Sequence, residues 1–130
     1  MVIDTSALVA LLTMESDAAR IAQAIDADPV LLLSAAALVE SSIVLESRYG
    51  EPAVRELDLL LKRAAVQIQA VDADQAEFAR LAWRRFGRGR HSAALNYGDC
   101  FSYALSRASG EALLFKGKDF AQTDIAAVSY

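Results

Sequence analysis

The sequence predicts an α/β fold, with a mainly parallel central sheet of four to five strands flanked by helices. Three observations carry this expectation. Apolar runs of strand length recur at Met1–Ile3, Val30–Leu33 and Ala112–Phe115. Longer stretches with a helical apolar period separate them, so strands and helices alternate along the chain. The 130 residues, 55% apolar and 23% charged with only 6 Gly and 2 Pro, suit one ordered domain over residues 1–130.

Met1–Ile3 opens as a buried strand and feeds a helix at Ser6–Leu12, marked by Ala7, Leu8, Leu11 and Leu12. A second helix covers Ser16–Ala27, and Asp28-Pro29 breaks it. Val30–Leu33 is the next strand. Ser34 then stands as N-cap of a helix running to about Arg48, which Tyr49-Gly50 ends. Pro52 sits where a first helical turn tolerates proline, and Val54, Leu57, Leu60, Leu61 and Ala64 hold one apolar face. Val66–Val71 reads as a third strand. Asp72, with Gln75 three residues on, starts a helix whose stripe is Ala76, Ala79, Ala82, Trp83 and Phe86; Trp83 and Phe86 are assigned to the core. Gly87-Arg88-Gly89 stops it. A loop leads to Asn96, a helix spans Gly98–Ala108, Ala112–Phe115 is a fourth strand and Ile125–Val128 a fifth.

Composition narrows the function. The single cysteine, Cys100, forms no internal disulfide and is expected to pack in the core. No apolar stretch approaches the roughly 20 residues of a membrane span, and nothing before Asp4 reads as a signal peptide, so a cytoplasmic protein without a membrane segment is expected. A net charge of −4 argues against a general nucleic-acid binder. The distribution is uneven, however: Arg80, Arg84, Arg85, Arg88, Arg90 and His91 fall between residues 80 and 98 without one acid among them.

Four acids stand in unusual company. Asp4 follows the first strand, and Glu40 has Ala36, Ala37, Ile43 and Val44 as its helical neighbours. Asp99 opens a helix and Asp119 follows the fourth strand through Lys116-Gly117-Lys118. Each has a plain structural role open to it. Asp4 can cap a helix, Glu40 can reach the rim or pair with an arginine, Asp99 can form a capping box with Asn96, and Asp119 can serve a turn. In a parallel sheet, though, ligands bind beyond the carboxyl ends of the strands, and the topology brings all four to that edge. Clustered carboxylates repel unless a cation neutralises them, and an all-oxygen set points to Mg²⁺ or Mn²⁺ rather than zinc.

The stretches VIDTSALVALL, ALVESSIVL, FGRGRHSAALNYGDCFSYALSR and LLFKGKDFAQTDI together resemble the PIN-domain ribonuclease toxins of the VapC family. The resemblance spans nearly the whole chain and implies a three-layer PIN-like fold. It implies that Asp4, Glu40, Asp99 and Asp119 form the catalytic metal pocket, with Thr5 or Ser6 as hydrogen-bonding support. Asp124 competes with Asp119 for the last place, either directly or through water; Asp119 is favoured because it follows the strand sooner. It also implies a homodimer and a cognate VapB-like antitoxin.

The expected chemistry is hydrolysis of RNA phosphodiester bonds by metal-activated water, leaving a 5′-phosphate. Arg84, Arg88, Arg90 and His91 are the candidates for holding RNA phosphates, and Tyr97 for stacking on a base. Two rival classes fit poorly. A haloacid-dehalogenase-like phosphatase needs a second Asp where Ser6 stands, and a receiver domain needs an acid adjacent to Asp4. A catalytically silent PIN-like interaction module is the alternative, although such a module has no physical need for clustered acids.

Overall fold

The computed structural model describes residues 1–130, and its centre is a sheet of four parallel strands in the order β3-β2-β1-β4. These are β1 (Val2–Ile3), β2 (Leu32–Ser34), β3 (Gln67–Gln69) and β4 (Leu113–Leu114). Val2 pairs with Leu32 on one side and with Leu113 on the other, so β1 lies in the interior of the sheet. The chain first builds outward through β2 and β3, then crosses back to place β4 against the free side of β1. That reversal makes a topological switch point beside β1, the position where parallel sheets open a crevice at their carboxyl ends.

Side chains alternate across a strand, and two separate cores follow from this. Ile3, Leu33 and Leu114 point into a cluster with Leu8, Ile21, Leu45 and Leu57. That layer is built by α1 (Thr5–Leu12), α2 (Ala18–Ala27), α3 (Ala35–Tyr49) and α4 (Glu51–Arg63). Val2, Leu32 and Leu113 enter the second cluster, with Ala79, Ala82, Phe86, Leu95 and Tyr103. Here the cover is α5 (Ala73–Phe86) and α6 (Tyr97–Ser109). The result is the expected three-layer α/β arrangement, and Cys100 is buried as expected.

Several boundaries shift for identifiable reasons. The second helix begins at Ala18 rather than Ser16: the Ala18 amide closes a turn on Glu15 O, and the first helical bond runs from the Ile21 amide to Asp17 O. Strand β3 is shorter than Val66–Val71: the Val66 amide donates to Leu61 O at the end of α4 and is lost to the sheet. The fifth strand reduces to a single bridge between Leu113 and Ala127, since β4 offers only two residues for pairing. Trp83 corrects the core assignment. It is 39% exposed, while Phe86 on the same helix is buried.

Candidate active site

Asp4 terminates β1 and serves two purposes at once. Its Oδ2 accepts from the Ser6 amide at 2.9 Å, capping α1, and from Ser6 Oγ at 2.6 Å. Ser6 Oγ in turn accepts the Lys116 amide at 3.0 Å, tying the end of β1 to the segment after β4. Asp4 is only 3% exposed, and its other oxygen, Oδ1, is buried with no hydrogen-bond partner. A buried carboxylate oxygen without a donor is costly unless something cationic or protic meets it.

Glu40 projects from α3 towards the same place. Its Oε2 accepts from Thr5 Oγ1 at 2.7 Å, and Thr5 Oγ1 is steadied by Ser41 Oγ at 3.3 Å. Across from Thr5, the Glu40 carboxylate presses on the first turn of α6. A Cβ placed on Gly98 would lie 2.2 Å from Glu40 Oε1, so only glycine leaves room for the acid there. Burial raises the Glu40 pKa, the Thr5 bond opposes this, and the charge of Asp4 adds to the rise.

Asp99 arrives on α6 through a capping box: Asn96 Oδ1 accepts the Asp99 amide at 2.9 Å, and Asp99 Oδ2 accepts the Asn96 amide at 2.7 Å. The cap and the site are thus the same residue. Burial pushes the Asp99 carboxyl up to about 7, the Asn96 bond lowers it, and the charges of Asp4, Glu40 and Asp119 raise it further. Three carboxylates that sense one another line a cavity of about 330 Å³ together with Thr5, Ser6 and Asn96.

Asp119 stands apart from that lining. It is exposed at the start of a 3-10 turn (Phe120–Gln122), and only its charge reaches Asp99. Asp124 is engaged elsewhere, accepting from Tyr103 Oη at 2.8 Å and from Arg85 at 2.8 Å, so it is tied to α5 and α6 at the surface rather than to the cavity. The side chains of Asp4, Glu40 and Asp99 are each held by a hydrogen bond of their own and do not close to the span of one ion. The donor set still fits a hard divalent cation, because all its atoms are oxygen and Asp4 Oδ1 lacks any partner.

Sequence reasoning missed part of the wall. Arg48, Lys116 and Glu15 also line the cavity. Arg48 lies near the end of α3, two turns beyond Glu40, a spacing that the helical period makes visible in retrospect. Nothing in the sequence marks Glu15, which reaches the site through its ion pair with Lys116. The proposed phosphate binders divide. Arg84 and Arg88 line a groove adjoining the cavity, whereas Arg90 and His91 lie outside both. His91 packs edge-on against Phe86 at 5.2 Å, and its Nδ1 accepts the Ala93 amide at 3.1 Å.

The PIN domain family profile matches residues 1–126. The chain is 63% identical over 128 residues to a protein called Ribonuclease VapC from Mycolicibacterium smegmatis, covering 98% of this chain and 99% of that one. The chain belongs to the VapC family of PIN-domain proteins. Ribonuclease VapC30 of Mycobacterium tuberculosis is a further relative of this PIN domain, 60% identical over 129 residues, with 99% and 98% of the two chains covered. The fold of the domain is also that of the crystal structure of Mycobacterium tuberculosis VapC20, described as a Sarcin-Ricin loop cleaving toxin. The TM-score is 0.80 at 22% identity, over 98% of this chain and 97% of that one. A toxin–antitoxin complex from Klebsiella pneumoniae contains a chain of the same fold, with a TM-score of 0.74 at 18% identity over 99% and 97%.

Proposed function

We propose that this PIN domain is a cytoplasmic, Mg²⁺- or Mn²⁺-dependent endoribonuclease, the toxin of a toxin–antitoxin pair. The observation that carries the reading is the partnerless buried Asp4 Oδ1, set in one cavity with Glu40 and Asp99. Relatives at 63% and 60% identity that are called ribonucleases support it.

Asp4, Glu40 and Asp99 would hold the cation, with Asp119 closing in from the exposed side. Bound there, the ion supplies Lewis-acid polarisation of the phosphate and acidifies the attacking water. The chain does the rest. Ser6 and Thr5 lock one oxygen each of Asp4 and Glu40, so that the remaining oxygens are presented at fixed positions. Asp99, with its carboxyl pushed up to about 7 by burial, is shared between its protonated and ionised forms near neutral pH, and would be held ionised by a bound cation. Arg48, which forms no salt bridge, offsets the negative wall that a phosphate must approach, whereas Lys116 is paired with Glu15 and Asp17. Water attacks phosphorus and the 3′-oxygen leaves, giving a 5′-phosphate. The alternative route through the 2′-hydroxyl and paired imidazoles lacks a second histidine.

A VapB-like antitoxin and a second copy of the chain complete the proposal. Exposed Met14 and Leu59 stand over a groove between α1, α2 and α4 that suits an apolar antitoxin segment, and exposed Val39 and Ile43 on α3 suit a dimer contact. The test is calorimetric titration with Mn²⁺ alongside mapping of the 5′ ends of cut RNA. Wild type should bind Mn²⁺ and leave 5′-phosphates, and Asp4→Asn and Asp99→Asn should lose both. Binding of Mn²⁺ with no cleavage of any RNA would favour the silent interaction module instead.

A further inference from the structure

Glu40, Val44 and Arg48 line the acidic cavity at steps of four residues, which keeps all three on one side of α3. Arg48 ends that row in an unexpected place for a cation. On the helical wheel it falls among Ala37, Ser41 and Leu45, the buried residues of α3, and lies about 180° from Val39 and about 140° from Ile43. It therefore turns away from the apolar face offered to a second copy. It lines neither that patch nor the groove offered to an antitoxin segment. Arg48 is exposed at the cavity's rim, and it is unpaired. Arg20, Arg55, Arg80, Arg85 and Lys116 each hold a carboxylate, whereas Arg48 has no salt bridge and no side-chain hydrogen bond. The exposed acid of the same lining, Glu15, is taken by Lys116. The dipole of α3 does not account for the position, because a cation anywhere in the last turn serves it and none is needed on the inward side.

We infer that Arg48 binds a phosphate of the RNA neighbouring the scissile one and so fixes how the strand crosses the carboxylates. The inference rests on the ribonuclease reading above and adds which cation holds the strand. Asp4, Glu40 and Asp99 repel the backbone they have to meet, so its approach needs a positive charge that no acid already holds. Lys116 is held by Glu15 and Asp17. A guanidinium meets a phosphate with two parallel N–H bonds, and at Arg48 no carboxylate has to be displaced first. Along the axis of α3, Arg48 stands about 12 Å beyond Glu40, so the phosphate it meets is a different one from that beside the acids. Between the two, Val9 and Val44 present only apolar side chains, and the intervening sugar and base go unread. Arg48 thus sets the register of the strand and not its sequence.

The test neutralises one phosphate at a time. A labelled single-stranded oligoribonucleotide with one uncharged methylphosphonate linkage, moved stepwise along the strand, is titrated into the full chain in chelator so that nothing is cut. Anisotropy reads the affinity. In wild type, one linkage should weaken binding by about tenfold; Arg48→Gln should bind the unmodified strand about tenfold more weakly and be indifferent to that linkage. Arg48→Gln should also flatten the logarithmic salt dependence by about 0.7, and Arg48→Lys should restore the slope but only part of the affinity, because an ammonium lacks the fork. Strands of different sequence should lose the same factor. With Mn²⁺ present, Arg48→Gln should raise KM and leave kcat nearly unchanged. Unaltered affinity in Arg48→Gln, or a linkage scan that is the same in wild type and Arg48→Gln, overturns the inference. So does an Arg48→Gln protein whose one change is weaker self-association in sedimentation, which puts a carboxylate of a second copy on the guanidinium. Wild type that shows the sensitive linkage but never cuts with Mn²⁺ defeats the nuclease reading and spares Arg48; cutting with an Arg48→Gln scan identical to wild type does the reverse.

Discussion

At the scale of single residues, the site depends on which atoms are allowed near Glu40. Gly98 is the residue that makes room, and its backbone is ordinary helix, so the need is for space rather than for an unusual torsion. In Gly98→Ala the atom that must yield is the end of a flexible side chain, so Glu40 swings away while α6 persists. Alanine also favours a helix over glycine by up to about 1 kcal/mol. The expected outcome is unchanged or slightly raised thermal stability with Mn²⁺ affinity and RNA cleavage both reduced at least about tenfold, on the logic that a site loosened by an ångström loses its preorganisation. Calorimetry beside a melting curve separates the two. Loss of fold, or full metal affinity, would show that Gly98 does not place Glu40. The order of elements and the family resemblance singled out Asp4, Glu40, Asp99 and Asp119, and the structure brings the first three to one cavity and leaves Asp119 outside its lining. The ranking of Asp119 over Asp124 rested on nearness to the strand alone, because what occupies Asp124 is Tyr103 and Arg85, partners 21 and 39 residues away.

At the scale of elements, α6 carries both a cap and a proposed metal ligand, and the two roles are separable. Asn96 holds the Asp99 amide with its side chain, but the bond that holds the Asp99 carboxylate comes from the Asn96 backbone. Asn96→Ala therefore removes the cap and keeps the tether. A lost N-cap costs about 1 kcal/mol, and for a chain of this length that lowers Tm by roughly 4 °C. Differential scanning calorimetry should find that drop, while Mn²⁺ affinity should fall far less than in Asp99→Asn. Comparable losses of metal binding in the two variants would mean that the cap itself builds the site. The helices were legible because their caps and stripes are local, as Ser34, Asp72 and Asn96 show by bonding residues two or three ahead. Trp83 was misread for a related reason. Its spacing fits the buried stripe, but the loop from Gly87 to Leu95 folds back so that Leu95, fully buried, closes the core, and Trp83 is left over the groove.

At the scale of the molecule, the acidic cavity sets stability against function, and pH exposes the conflict. The folded-state value of Asp99 is raised to about 7 from an ordinary 3.8, chiefly by burial. Below the ordinary value the carboxyl is protonated in both states and burial exacts nothing. As pH rises, the unfolded chain ionises freely while the folded chain resists, so this contribution to stability is lost up to about pH 7 and is level above it. Glu40, also raised, adds in the same direction. Asp28, Asp17, Glu15 and Asp124 are lowered and act oppositely, but their unfolded values lie near 4, so their contribution is complete before pH 6. Metal-free protein should therefore lose Tm between about pH 6 and 7, below the Asp99 value of about 7 and above the range where the lowered acids titrate, and Asp99→Asn should flatten that slope. On the proposed reading Mn²⁺ takes the ionised form, so its stabilisation should grow across the same window. At 100 times its Kd it reaches about 2.7 kcal/mol, on the order of 10 °C for a chain of this size. Chelator should return Tm to the metal-free curve without unfolding the protein, because the two apolar cores lie on either side of the sheet and neither includes the carboxylates. A metal-free Tm that is flat through pH 7, or that rises, would mean that Asp99 ionises without penalty and that the carboxylates do not crowd one another.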